Sequence, residues 1–141
     1  MEDLGLEKYE ELIDYLYNID IRVHEVDLDS SQAIAIKANN KGYIAVYKKI
    51  TNTTAKRFIL EHEYSHFLTD AFYTVDTSRL AVKRRELKAN DNMVERMRLV
   101  RPVLKALKLG LERWQVADAL DIPEYVIEHC ISYAKRKNIN I

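Results

Sequence analysis

Ile59-Leu60-Glu61-His62-Glu63-Tyr64-Ser65-His66-Phe67-Leu68 is the stretch on which the reading turns. Its two histidines stand four positions apart, with a glutamate directly after the first. On an α-helix residues i and i+4 lie one above the other, so both imidazoles can hold one ion. Glu63 then comes within reach of a water on that ion. The ion lowers the pKa of such a water toward about 7, and a carboxylate can take its proton. The spacing points to a hydrolytic zinc centre with His62 and His66 as ligands and Glu63 as the catalytic base. Tyr64, Ser65 and Phe67 are uncharged, as suits a helix packed in a core beneath its own site. The bland alternative is two surface histidines beside an unrelated glutamate.

Zinc in a hydrolase takes three protein ligands and keeps a fourth position open. The third ligand is expected from another helix. Glu86 is the leading candidate, with Asn90 one turn later on the same face. Glu86 would bind the ion while the Asn90 side-chain oxygen accepts the free N–H of His62, fixing its tautomer. Glu95 on the same helix, Asp76 before it and His129 near the end of the chain are rivals for the ligand position. His24 and His129 read more simply as surface or internally satisfied histidines. Manganese or iron also suits a site of two imidazoles and one carboxylate.

Working outward, residues about 4–18 read as an amphipathic helix with Leu4, Leu12, Ile13 and Leu16 on its apolar face. Three short β-rich segments follow, Ile21 to Leu28, Ala33 to Ala38 and Tyr43 to Tyr47. Asn39-Asn40-Lys41-Gly42 signals a hairpin between the second and third. The expected sheet is small, three-stranded and mostly antiparallel. Thr53 or Thr54 caps the central helix, which runs to about Asp70, and residues 71–78 connect it to the next. A long helix is expected over Arg79 to Val100, interrupted or ended by Pro102, then a short one that stops at Gly110. Two more close the chain, about Glu112 to Leu120 and Pro123 to Lys137, with Asp121 and Glu124 at capping-box spacing. The order is α+β, with a mainly helical C-terminal half.

The bulk numbers set limits. The 141 residues suit a single domain, 1–141, with 111–141 as a helical extension. Lys plus Arg and Asp plus Glu are 22 each, and this balance argues against phosphate neutralisation as the main business of the chain. The charges are segregated: ten acids fall in the first 29 residues, while Lys83 to Arg113 is a basic stretch. Solvated faces or internal complementarity explain this most simply, and a docking surface for an acidic partner is the sharper reading. Cys130 is the single cysteine, which fits a reducing compartment. The acidic start is no secretory signal, and no apolar run approaches the roughly 18 residues of a membrane span, so no membrane role and a cytoplasmic location are expected.

The chain resembles the ImmA/IrrE-type metallopeptidase family. The resemblance rests on Arg57-Phe58-Ile59-Leu60-Glu61-His62-Glu63-Tyr64-Ser65-His66 followed by Glu86-Leu87-Lys88-Ala89-Asn90, and it covers roughly residues 4–102. It implies a zincin-like fold, one zinc ion, Glu86 as third ligand and Asn90 as its neighbour behind the ion. It also implies regulatory proteolysis in bacteria and their mobile elements, with a helix-turn-helix repressor as substrate. Zincin-like sites hold substrate as an extended strand on a sheet edge, here either Ala33 to Ala38 or Tyr43 to Tyr47. A donor for the oxyanion is required, and Tyr73 is a candidate among the nine tyrosines.

Gln115 to Ile127 is similar to a helix-turn-helix DNA reader, with Lys135, Arg136 and Lys137 at the end of its second helix. Glu124 and Glu128 stand where base contacts would be made, and their charge opposes phosphate. The alternatives to a metallo-endopeptidase are therefore a DNA-binding regulator, or a catalytically silent partner-binding protein that keeps the metal site.

Overall fold

Asn39 and Asn40 both take left-handed backbone, with φ of 52° and 64°. Asparagine tolerates that conformation, and two such residues in succession make the tight turn that suits a twisted hairpin. The computed structural model describes residues 4–140. Among them the turn joins strand β2 (Ala33–Ala38) to β3 (Lys41–Tyr47), with Ala38 opposite Lys41 and Ala33 opposite Val46. Before the hairpin come helix α1 (Leu4–Asn18) and strand β1 (Ile21–Val26). After it come α2 (Thr53–Thr69), α3 (Arg79–Arg96), α4 (Val100–Lys108), α5 (Arg113–Leu120) and α6 (Glu124–Arg136). The architecture is α+β, six helices with one small sheet. The side chain of Leu4, expected on the apolar face of α1, lies outside the described residues.

The sheet is mixed, which corrects the expectation of mostly antiparallel pairing. Its order is β1-β3-β2, with β1 parallel to β3 and β2 antiparallel to it. The connection over residues 27–32 carries the chain past the neighbouring position to the far edge, and the hairpin then brings β3 back between the two. Because β2 runs opposite to both strands, β1 and β3 must run the same way. The parallel ladder is extended at both ends, by Gly42 N–H to Asp20 O and Lys48 N–H to Val26 O, each 2.9 Å.

The chain packs as two compact units, one up to Ala89 and one from Asn90, so the boundary falls inside α3. In the first, β3 alternates as a half-buried strand should: Gly42, Ile44 and Val46 point inward, and Lys41 and Tyr43 outward. Ile44 and Val46 join Tyr9, Leu16, Ile21, Leu60 and Tyr64 in a core shared by α1, the sheet and α2. Full burial of Leu16, Ile44 or Leu60 contributes about 1.5–3 kcal/mol apiece. An exposed ion pair such as Lys37–Asp70 adds at most about 1 kcal/mol, so apolar packing fixes the position of α2.

At Gly42 the sheet backbone lies close against the Phe67 ring of α2. A Cβ built there would lie 2.6 Å from Phe67 Cε1 and 2.9 Å from Ile21 Cγ1. The Phe67 ring has little room to yield, because it packs edge-on against Phe72 with centroids 4.9 Å apart. Gly42→Ala is expected to destabilise the protein by about 1–3 kcal/mol, measured by denaturant unfolding. A change within a few tenths of a kcal/mol would show that the ring moves freely.

The helix ends depart from the sequence reading in three places. Asn52, rather than Thr53 or Thr54, caps α2, its side chain accepting from Ala55 N–H at 2.8 Å. The long helix stops at Arg96, short of Val100: Arg98 turns left-handed (φ 55°) and Leu99 N–H reaches back to Val94 O at 3.0 Å. Pro102 then sits in the first turn of α4, where no N–H is missed. Asp121 is not an N-cap but the left-handed C-cap of α5 (φ 52°). At the other end of α5 the Gln115 side chain accepts from Glu112 N–H at 2.8 Å. As expected, Gly110 follows α4 with φ of 93°.

In the second unit α4, α5 and α6 pack on one another, and Met93, Val103, Val116, Val126, Ile127 and Cys130 are fully buried. Burial pushes the Cys130 thiol up to about 12, so it is protonated and serves as a packing residue. Among the described residues no helix is long and apolar enough to cross a membrane.

Candidate metal centre

Helix α2 places His62 and His66 one turn apart on one face, and the end of the helix fixes the second ring. Asp70 takes left-handed backbone (φ 50°) as C-cap, and the chain doubles back so that Ala71 N–H bonds His66 O at 3.0 Å. The same reversal brings the Ala71 carbonyl to His66 Nδ1 at 2.7 Å. A carbonyl only accepts, so Nδ1 carries the hydrogen. In the neutral ring Nε2 therefore presents a lone pair.

That lone pair faces other electron-rich atoms. His66 Nε2 lies 3.2 Å from His62 Nε2 and 3.0 Å from Glu86 Oε1, and Glu86 Oε2 lies 2.9 Å from His62 Nε2. Two imidazole nitrogens and a carboxylate thus converge on one point and repel unless a cation stands among them, either a proton or a metal ion. A tetrahedral zinc with bonds of about 2.0–2.1 Å would space its ligands about 3.3 Å apart. The observed spacings are close to this, and the donor set is one that zinc hydrolases use. His62, His66 and Glu86 therefore fit one zinc ion with an open fourth position.

Of the carboxylates considered from sequence, Glu86 is the one brought to both imidazoles. Asp76 is exposed in the connection between α2 and α3. Glu95, in the second unit, accepts from the Tyr133 hydroxyl at 2.7 Å. His129, also in the second unit, stacks edge-on against Tyr125, and His24 is exposed on β1. Asn90, one turn beyond Glu86 on α3, opens the second unit. The His66 ring is anchored by the Ala71 carbonyl.

Burial alone would raise the Glu86 carboxyl, but hydrogen bonds to His62 and His66 overcome it and hold Glu86 well below the usual carboxylate range. Burial works against the His66 cation, yet its bonds to Glu86 and Ala71 and the nearby carboxylates push it above its ordinary value. Glu63 behaves differently. Burial raises it, the two imidazoles pull it back in part, and Glu86 repels it upward again. Its carboxylate lies with the ligand nitrogens of His62 and His66 in a group spanning no more than 4.8 Å. The two carboxylates thus divide: Glu86 is paired and its ionised form is favoured, while Glu63 takes up a proton more readily.

Tyr73 lies in the connection, and its hydroxyl donates to Glu86 Oε1 at 2.8 Å. Burial and the Glu86 charge push its pKa up to about 12, so it remains a donor throughout the neutral range.

A cleft of about 370 Å³ opens beside Glu63 and His66. Ala33, Ile34 and Ala35 of β2 form one wall, and Phe72, Tyr73 and Val75 of the connection form the other. The sequence is compatible with either β2 or β3 as a substrate edge. β3 is the central strand, so β2 is the edge that meets the site. No family model matches this chain, and neither a curated protein nor a solved structure matches it.

Proposed function

We propose that this chain is a zincin-like, zinc-dependent endopeptidase. The observation that carries the reading is the convergence of His62, His66 and Glu86 on one point with the half-buried Glu63 beside it. Zinc held there supplies Lewis-acid chemistry, polarising a peptide carbonyl and making water acidic enough to lose a proton near neutral pH. The remaining work falls to the chain. Glu63 accepts the proton on its carboxylate and returns it to the leaving amide nitrogen, a double duty suited to a carboxyl whose pKa is raised by burial. The Ala71 carbonyl keeps the His66 ring in register. The Tyr73 phenol, protonated on an exposed connection, is the candidate donor to the oxyanion once it leaves Glu86.

The free edge of β2 supplies the substrate platform. Tyr47 N–H bonds Gln32 O at 2.8 Å, which fixes the phase of the antiparallel ladder. Gln32, Ile34 and Ile36 direct their backbone groups to β3, so Ala33 and Ala35 direct theirs to the open edge. An extended chain adds there as a further strand, whereas a folded helix does not. This selects unfolded or loop segments.

Regulatory proteolysis of a helix-turn-helix repressor in the cytoplasm rests on the resemblance to ImmA/IrrE-type enzymes. The DNA-binding alternative is less favoured: α5 and α6 are joined by a short turn, but Glu124 and Glu128 are exposed along the first turns of α6. Treatment with a chelator is expected to abolish peptide hydrolysis, and one equivalent of zinc to restore it. Zinc bound at one equivalent, with no hydrolysis of repressor or unstructured protein, would favour the catalytically silent regulator.

A further inference from the structure

We propose that the cleft beside Glu63 and His66 is a specificity pocket for one uncharged, apolar side chain next to the scissile bond, with Ala35 setting its size and Val75 its tolerance of charge. This rests on the endopeptidase reading.

The dimensions come first. At about 370 Å³ the cleft stands at the low end of ligand sites, which run roughly 300–1,000 Å³. It accommodates a side chain or two of an extended segment. Its position follows from the ladder. A strand added to the β2 edge points its side chains alternately to the two faces of the sheet. On one face stand Ile34 and Ile36, both exposed. On the other stand Ala33 and Ala35, half-buried and packed against the core that α2 shares. Every second substrate side chain therefore falls toward the α2 face, where Glu63 and His66 line the cleft. Two alanines in phase on that face leave space that larger residues would occupy.

The chemistry of the walls then selects the occupant. Phe72 and Val75 oppose the alanines, and among the described residues lining the cleft none is lysine or arginine. The ionisable side chains at the inner end are Glu63 and His66, beside the phenol of Tyr73. Any charged side chain would lose hydration against the apolar walls formed by Ala33, Ala35, Phe72 and Val75, with no lysine or arginine there to pair an acidic one. An apolar side chain gains by leaving water.

The test is cleavage of a random-sequence peptide mixture by the zinc-loaded full chain, with cut sites read by mass spectrometry. Leu, Ile, Met or Phe is expected at one position beside the cut, favoured over Asp and Glu by about tenfold or more. Ala35→Leu should move that preference to Gly, Ala and Ser. Val75 is wholly exposed, so Val75→Arg should not disturb folding and should admit Asp and Glu at the same position. Cuts with no apolar preference beside the bond, or a pattern unchanged in Val75→Arg, overturn the pocket alone. No cut in any peptide overturns the endopeptidase reading and the pocket with it.

Discussion

Glu63→Gln is expected to lower peptide hydrolysis by about 10²–10⁴-fold while leaving zinc bound at one equivalent. The substitution keeps the shape of the side chain and removes only its ability to take a proton. The convergence of His62, His66 and Glu86 does not involve Glu63, so the ion has no reason to leave. The metal measurement matters because the Glu63 carboxylate is itself close enough to the two imidazoles to be mistaken for a ligand. If Glu63 were the third ligand, the variant would lose zinc along with activity. If Glu63 had no chemical part, both would persist. Loss of turnover with retained metal, by elemental analysis of the same sample, separates its role as base from both alternatives. Full activity in Glu63→Gln would sink the proposed mechanism.

The grouping of side chains at the candidate centre was largely legible in the sequence because His62, Glu63 and His66 stand at helical spacing. His62 and His66 differ by four positions, and Glu86 lies on the next helix across a short connection. The anchor of His66 was not legible, since it is the backbone carbonyl of an alanine, delivered by a left-handed aspartate at the end of α2. Nothing in the identity of Ala71 announces that use. The cleft wall was hidden for a related reason: Ala33 and Ala35 contribute free backbone groups and empty space, neither of which leaves a chemical signature in the sequence. In the fold, the Asn39-Asn40 hairpin was readable because left-handed turns demand particular residues. The partner of β1 was not, because the connection over residues 27–32 could equally close a plain hairpin or step over one strand position. The break at Arg98 escaped for want of glycine or proline at the turn itself, and Pro102 four residues later drew the boundary too far along.

Zinc should raise the melting temperature strongly at pH 8 and weakly at pH 5.5, and Glu86→Gln should remove most of the rise. The metal-free chain sets the baseline. Glu86 has a depressed folded pKa, so its stabilisation is present above the ordinary 4.5 and is lost as pH falls below that value. His66 has a raised folded pKa, so its stabilisation is complete below 6.5 and is lost as pH rises through the raised value. Without metal, the pair therefore helps most between these limits, with a proton serving as the cation among the converging atoms. Glu86 is about one-third exposed, so solvent screening keeps this contribution modest. Zinc needs both imidazoles neutral and competes with that proton, so its binding strengthens with pH. At free zinc about 100-fold above the dissociation constant, the folded state gains about 2.7 kcal/mol, or a rise on the order of 5–15 °C. Glu86→Gln replaces an anionic ligand by a neutral amide and leaves two imidazoles to hold the ion. Its melting temperature with zinc at pH 8 should fall close to the chelated value. At pH 6 without metal it should also melt below the parent, because the His66 cation has lost its partner. A zinc effect that is equal at both pH values, or one that survives intact in Glu86→Gln, would place the ion elsewhere than on His62, His66 and Glu86.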